Sequence, residues 1–422
     1  MSDNVAVTQA RNHSGPMRGL RVLDLTSVMM GPYCTQAFAD MGAEVIKIES
    51  PDGDSSRHIP PYKESGNGGI FTSLNRGKRC VVLDLRKAEG RDACLDLART
   101  CDVFIHSMRP AAIARLGLDY PAIAAVAPNI VYCNLLGFGR AGRYSGLAAY
   151  DDAIQAASGL ASLQEELIGR PAYIPTVLAD KVTGLTAMYA VLAALLYRER
   201  SGEGQEIDVP MFETMTSFVL VEHICGAAFQ PALGRAVYPR LMTRSRRPFP
   251  TLDGNLSVLV YNDKQWGNFA RIAQREDLID DPRFTTLAER SSNLDDWNET
   301  VASVLTTKRT DEWLSLLSAA GIPAMRVNST EDLLEDPHLD DVGFFQTLEH
   351  PTDGTLRLPG FPVSFAKTPA GFDTPAPQQG ADTYDVLREA GFSNERIMAL
   401  EKALIFEISR PPQSAEPETA AL

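Results

Sequence analysis

The chain has 422 residues, roughly two to three domains' worth on a length prior. Apolar residues make up 44% and charged residues 22%, an ordinary globular composition that excludes wholesale disorder. With 40 basic against 54 acidic residues the net charge is −14, which argues against a nucleic-acid or anionic-membrane surface and leaves room only for a local basic pocket.

From Gly19 onward short β-rich runs alternate with helical ones. Residues 21–26 read as a strand, 35–41 as a helix stopped by Gly42, and 44–49 as a second strand. A Gly/Ser/Pro-rich stretch over 50–69 is long enough for a functional loop. Strands follow at 79–85, 102–106 and 129–135, with helices at 91–100 and 111–116 between them. This alternation implies crossover units and an open α/β domain whose parallel sheet is covered on both faces.

The middle of the chain changes character. Helices are expected at 150–163 and 180–200, the second closed by Gly202, then a strand at 205–208 and a helix at 209–228. A basic, Pro-containing link over 240–250 leads to a strand at 254–261 and helices at 265–275, 294–305 and 310–319. Beyond Asp336 the chain reads as loop-rich, ending in a helical pair at 382–390 and 394–402, and its last dozen residues read as disordered. The first 17 residues are polar with no apolar core, and the longest near-continuous apolar run, 185–197, has 13 residues where a bilayer needs about 20. Six cysteines without a CxxC pair read as reduced core thiols rather than a disulfide frame or zinc site. A soluble cytoplasmic protein is expected, with no membrane or nucleic-acid partner.

Histidine is scarce, the six present show no metal-ligand spacing, and no GxSxG elbow occurs, so carboxylates are the expected reactive groups. Asp180 heads a long apolar helical segment. It reads either as an N-cap, since Asp oxygens accept first-turn amides, or as a carboxylate nucleophile kept ionised by the helix terminus. Asp151 and Asp152 open another helix, as dipole compensation or as a catalytic partner for Asp180. Gly137–Gly142 matches GxGxxG, but loop-forming residues follow where a dinucleotide fingerprint needs a helix. Two basic loops near strand ends, 75–79 and 107–110 with Arg115 beyond, are solvated surface or the lining of a crevice for phosphate groups. Arg244-Ser-Arg-Arg247 is a charged linker or a carboxylate-binding element over the active site.

Longer stretches carry more. Gly19-Leu-Arg-Val-Leu-Asp-Leu-Thr26, Gly31-Pro-Tyr33, the run from Asp40 to Asp54, Asn75-Arg-Gly-Lys-Arg79, Tyr150-Asp-Asp152, Asp180-Lys-Val-Thr-Gly184 and the runs 202–211, 249–254 and 380–387 stand in an order that resembles the class III CoA-transferases. These include formyl-CoA and carnitine CoA-transferases, with α-methylacyl-CoA racemase as a sister enzyme, and the likeness spans about residues 17 to 405. It implies a large Rossmann-like domain over 17–225 and 335–408, a linker and smaller α+β domain over 226–334, tails at 1–16 and 409–422, and an interlocked homodimer. It places the nucleophile on Asp180, with Tyr150 and Asp151 beside it. Contacts to coenzyme A would fall on Met29, Met30, Leu74, Asn75, Arg76, Gly77, Ser107, Met108, Arg109, Arg115, Ala148 and Ala149.

Formyl-CoA transferases carry arginine where Ser50 stands and glutamine where Met29 stands, which argues against a formate/oxalate pair. Racemases carry histidine where Tyr150 stands, so their base is missing here. The implied reaction passes CoA from an acyl-CoA donor such as succinyl-CoA to a carboxylic acid through an aspartyl anhydride and an aspartyl-CoA thioester, with no permanently bound cofactor and no metal. Racemisation at the α-carbon of an acyl-CoA is the alternative.

Overall fold

Strand–helix alternation from Gly19 onward closes into one six-stranded sheet in the computed structural model, which describes residues 14–403 and 405. The strands are β1 (Arg21–Leu25), β2 (Glu44–Glu49), β3 (Arg79–Val82), β4 (Val103–His106), β5 (Val131–Leu136) and β6 (Gln205–Pro210). Their spatial order is 3-2-1-4-5-6, with every neighbouring pair parallel. Helices α1 (Met30–Asp40), α2 (Gly69–Leu74), α3 (Ala88–Ala98), α4 (Pro110–Arg115), α5 (Tyr120–Val126), α6 (Asp151–Ala157), α7 (Leu160–Ile168) and α8 (Leu178–Ser201) intervene, and α9 (Met211–His223) follows β6. Chain order reverses between β1 and β4, so a crevice opens at their carboxyl ends, where open α/β sheets take ligands.

Side chains alternate across this sheet, and both faces are dry. Leu23, Ile46, Ile48, Phe104 and Tyr132 pack with Leu97, Ile123, Val386 and Leu387 on one side. Val22, Val45, Val103, Ile105 and Cys133 pack on the other with Cys34 and Phe38 of α1 and Ala187, Val191 and Leu195 of α8. Helix α8 runs 24 residues, and it is long and apolar enough by length and composition to cross a membrane, which the reading from a 13-residue run did not anticipate. In the fold one of its faces lies on the sheet, while Leu185, Tyr189 and Leu196 are exposed. It ends as expected at Gly202 in the left-handed conformation.

The chain divides into two compact units. Among the described residues the first takes 14–159, Ile174–Phe218 and 343 onward; the second takes Leu160–Tyr173 and Val219–Val342. These boundaries differ from 17–225 with 335–408 against 226–334, chiefly because the helix expected over 150–163 breaks at Gly159, whose φ is +86°. The second unit holds an antiparallel sheet of β7 (Phe249–Pro250), β8 (Asn255–Val258) and β9 (Ala324–Arg326). Around it stand α10 (Asp263–Ile272), α11 (Leu287–Ser292), α12 (Leu294–Leu305) and α13 (Thr310–Ala319), over a core rich in Trp266, Phe269, Trp297 and Trp313.

Two further short helices, α14 (Thr330–Leu334) and α15 (Pro337–Asp341), precede an antiparallel hairpin, β10 (Phe345–His350) with β11 (Gly354–Pro359), inside the stretch read as loop. The hairpin is mostly exposed, so its residues show no apolar alternation to find. The expected C-terminal pair forms as α16 (Thr383–Glu389) and α17 (Asn394–Lys402). Of the tails, 1–13 and 409–422 lie outside the described residues. Residues 14–16 are a defined turn, in which the Arg18 N–H donates to Gly15 O at 3.3 Å. All six cysteines are free, four of them buried.

Candidate functional site

Helix α8 starts at Leu178, so Asp180 is its third residue. Val177 holds the N-cap position without any side-chain hydrogen bond, which removes the N-cap reading of Asp180. The carboxylate instead lines a cavity of about 390 Å³ at the switch point of the sheet. Ser27, Val28, Met29 and Met30 come to it from the end of β1, and Ser107, Met108 and Arg109 from the end of β4. Gly137 and the segment Leu147–Tyr150 close it beyond β5. Gly137 is required there, since a Cβ would stand 2.5 Å from the Cβ of Ala149.

Burial raises the Asp180 carboxyl to about 6, with the neighbouring Asp151 charge adding to the shift. Asp151 is 6% exposed and is held on both oxygens. Its Oδ2 accepts the Asp180 backbone N–H at 3.0 Å, and its Oδ1 accepts from Gln155 Nε2 at 2.6 Å. Gln155 Oε1 in turn accepts the Ile174 N–H at 2.9 Å, so one buried pair of side chains ties the start of α6 to the chain entering α8. The two acids do open α6, as dipole compensation requires, but only Asp152 is left exposed. Tyr150, at the N-cap of α6, lines the cavity and is 76% exposed.

The β1 side of the cavity is held under strain. Val28 has φ +67°, a left-handed conformation that a β-branched residue rarely adopts and that costs on the order of 1–3 kcal/mol. Its N–H donates to Asp54 Oδ1 and Oδ2 at 3.2 and 3.3 Å. Asp54 pairs with buried Lys47 at 2.9 Å, and Lys47 also donates to Thr26 O at 2.8 Å. Burial works against the Asp54 charge, but Lys47 and the Ser56 donors outweigh it and hold the carboxyl at about 2. This fixed turn delivers the chain into α1, whose N-cap Met29 makes no side-chain capping bond. With Pro32 carrying no N–H, the first-turn amides of α1 are those of Met30 and Gly31; they have no hydrogen-bond acceptor among the described residues and lie at the positive end of the helix dipole.

Of the residues singled out in the sequence, Met29, Met30, Ser107, Met108, Arg109, Ala148, Ala149, Tyr150 and Asp180 meet at this one cavity, with Asp151 directly behind. Leu74, Asn75, Arg76 and Gly77 do not line it. Arg76 is buried, paired with Asp40 at 2.7 Å and stacked 4.2 Å over Phe372. The Asn75 side chain bridges Phe71 O and Lys78 Nζ. Lys78 reaches Asp24 at 3.2 Å and Arg79 reaches Glu44 at 2.7 Å. The first basic loop is therefore framework rather than crevice lining. Arg115 is exposed at the end of α4, one turn past the cavity residue Ala112.

Arg109 is exposed and makes no ion pair among the described residues. The stretch 137–142 opens no helix, as its loop-forming residues implied. His106 is buried, bonded to Asn134 at 2.9 Å and held neutral at about 4 mainly by burial. No group of metal-ligating side chains occurs among the described residues.

Sequence reasoning missed Val28, Asp54 and Gln155. Gln155 stands four residues after Asp151, one helical turn on, which was a usable signal. The left-handed turn at Val28 had none, since valine normally avoids it.

The model of CoA-transferase family III matches residues 17–383. Over 395 residues the chain is 32% identical to a succinate–glutarate CoA-transferase of Agrobacterium fabrum, covering 91% of this chain and 98% of that one. It is 31% identical over 389 residues to a succinyl-CoA:mesaconate CoA-transferase of Haloarcula hispanica, covering 89% and 97%. Among solved structures, a CaiB/BaiF family protein from Brucella suis matches with a TM-score of 0.79 at 28% identity, over 89% of this chain and 100% of that one.

Proposed function

The chain belongs to CoA-transferase family III, and we propose that it moves coenzyme A from an acyl-CoA donor, succinyl-CoA foremost, to a dicarboxylic acid through covalent intermediates on Asp180. The observation that carries this reading is a half-buried carboxylate at the switch-point cavity, raised to about 6 and therefore still mostly ionised at neutral pH. A carboxylate with a pKa closer to the working pH is a better nucleophile than an ordinary one.

An oxygen of Asp180 attacks the thioester carbon and CoA thiolate leaves, giving a mixed anhydride. The thiolate then attacks the Asp180 carbonyl, so the donor acid departs and an aspartyl-CoA thioester remains. The acceptor carboxylate displaces the thiolate to form a second anhydride, and the thiolate attacks the acceptor's acyl carbon to regenerate Asp180. Bond energy stays in acyl intermediates throughout, and water must be excluded because an acyl aspartate hydrolyses readily. Asp151 is a positioning residue in this scheme: it fixes the Asp180 backbone and raises the nucleophile's basicity.

Contacts to coenzyme A are assigned to Met29, Met30, Ser107, Met108, Arg109, Ala148 and Ala149, with Arg115 near the outer end of α4. The unpaired Arg109 and the α1 amides supply positive charge for phosphate groups. Any contact from Leu74–Gly77 runs through main chain, because the Asn75 and Arg76 side chains are engaged within the protein. A dicarboxylate acceptor is suggested by the names of the relatives. Isomerisation at the α-carbon is not favoured, since those relatives are CoA-transferases and Tyr150 replaces the base it needs. Exposed Leu185, Tyr189 and Leu196 of α8, with Phe218 and Val221 of α9, support a homodimer, for which sedimentation at several concentrations is the test. Six unpaired thiols fit a cytoplasmic setting.

The decisive experiment is mass spectrometry after incubation with succinyl-CoA and trapping with hydroxylamine. The expected product is a hydroxamate on the peptide containing Asp180, absent in Asp180→Asn. Undiminished transfer by Asp180→Ala would sink the proposal.

A further inference from the structure

The second unit carries a cavity that the chemistry at Asp180 does not use. It measures about 360 Å³, and Arg240, Arg246 and Arg247 line it with Phe249, Trp297 and Asn298. No carboxylate is among its lining residues.

Several other arginines of this unit are paired, although Arg170, Arg244 and Arg271 make no ion pair among the described residues. Arg275 pairs with Asp277 at 2.7 Å, Arg283 with Asp281 at 2.8 Å, Arg290 with Asp263 at 2.6 Å and Arg309 with Asp253 at 3.0 Å. Arg240, Arg246 and Arg247 make no ion pair among the described residues; Arg240 only lies 5.7 Å over the Tyr261 ring. The acids that open α12 line an adjoining cavity with Arg240: Asp295 accepts from Thr243 and, at 2.5 Å, from Ser245 Oγ, and Asp296 accepts from Arg283 at 3.0 Å, so Arg246 and Arg247 are the cations of the present cavity that no lining acid of either cavity pairs. Three guanidiniums on one concavity give it a positive field that favours a bound anion. In a chain of net charge −14 such a cluster is not the product of a generally basic surface. Trp297 lines the cavity and is 9% exposed, and its buried indole N–H has no hydrogen-bond acceptor among the described residues.

We propose that this cavity is an anion-binding site taking a carboxylate or phosphate group, held by guanidinium forks against the apolar wall of Phe249 and Trp297. It stands whether or not Asp180 is the nucleophile. All three tryptophans, Trp266, Trp297 and Trp313, belong to this unit, so intrinsic tryptophan emission reports on it.

The test is titration of the full chain at low ionic strength with inorganic phosphate, glutarate and coenzyme A, followed by tryptophan emission with calorimetry in parallel. A saturable emission change is expected, weakened by added chloride, and lost in Trp297→Phe. Arg246→Gln with Arg247→Gln should weaken binding by about tenfold or more. Tighter binding of glutarate than phosphate identifies a carboxylate occupant; tighter binding of phosphate or coenzyme A identifies a phosphate group, and either result supports the site. A flat response to all three probes overturns it, as does binding that survives unchanged in the double variant. Both arginines are exposed, and Arg246→Lys with Arg247→Lys, which keeps the charge, should retain part of the affinity even if the glutamine pair folds poorly.

Discussion

Removing the Asp151 charge should lower the pH at which the enzyme switches on. In the proposed mechanism the nucleophile is the ionised form of Asp180, so activity is expected to be lost as pH falls through its pKa, about 6 in the free enzyme. On that value about nine-tenths of the carboxylate is ionised at pH 7 and about one-tenth at pH 5, so kcat/KM should fall roughly tenfold between them. Two causes raise the pKa, burial first and the Asp151 charge second. Asp151→Asn abolishes the second and keeps the first, so the acid limb should move down to a midpoint between 3.8 and about 6.

The plateau rate should fall as well. Asp151 accepts the Asp180 N–H and the Gln155 amide on different oxygens, and in asparagine one of those positions becomes an NH2 that only donates, so one of the two donors loses its acceptor there. The assay is CoA transfer followed by chromatography from pH 4 to 8. A phosphate monoester also titrates near pH 6, so the donor should be a thioester of dephospho-CoA, which lacks that group. An acid limb that stays in place in Asp151→Asn, or moves to higher pH, refutes the electrostatic coupling of the two carboxylates.

Two further outcomes concern the frame around the site. Gly184→Ala adds a Cβ 2.6 Å from the Met30 carbonyl oxygen; against the gain of about 1 kcal/mol in helix propensity, a net loss of about 1–3 kcal/mol in urea unfolding is expected, and a stabilised variant would contradict the close packing of α1 on α8. Asp54→Asn removes the direct ion pair of buried Lys47, which keeps the Asp24 and Glu49 charges near it, and should cost about 2–3 kcal/mol at pH 7. Because the native carboxyl is held down at about 2, its stabilising contribution is present above 3.8 and lost as pH falls through about 2. The gap between wild type and variant should accordingly close over that interval in pH-dependent unfolding, and a gap that is constant with pH would refute the ion pair.

Much of the first unit was legible because its elements are written locally. Buried parallel strands read as short apolar runs, and their alternation with helices implies a parallel sheet. Gly42 and Gly202 mark helix ends through a backbone conformation that other residues avoid. The hairpin β10–β11, the three-residue β9 and the short α5 were missed, since each is too short or too exposed to impose a period on its residues. The helix break at Gly159 was missed for a different reason, as isolated glycine is tolerated inside helical patterns and only its φ of +86° decides the matter.

The site shows the same division. Asp180, Tyr150, Met29 and the 107–109 loop were recognisable as motif residues at strand or helix ends. That Arg76 turns inward to Asp40 while Arg109 stays unpaired at the cavity was not, because a cation's partner lies far away in the chain. Residue order by itself determined the element types and the parallel sheet, which depend on neighbours within a few positions, while the candidate nucleophile came only from the resemblance of motifs spread along the whole chain. Only the tertiary structure decided that Asp180 is a cavity residue rather than a cap and that Asp151 raises its pKa. It alone showed that Val28 is bent under the hold of Asp54. Those properties depend on burial and on charges brought together across tens of residues, which no local pattern records.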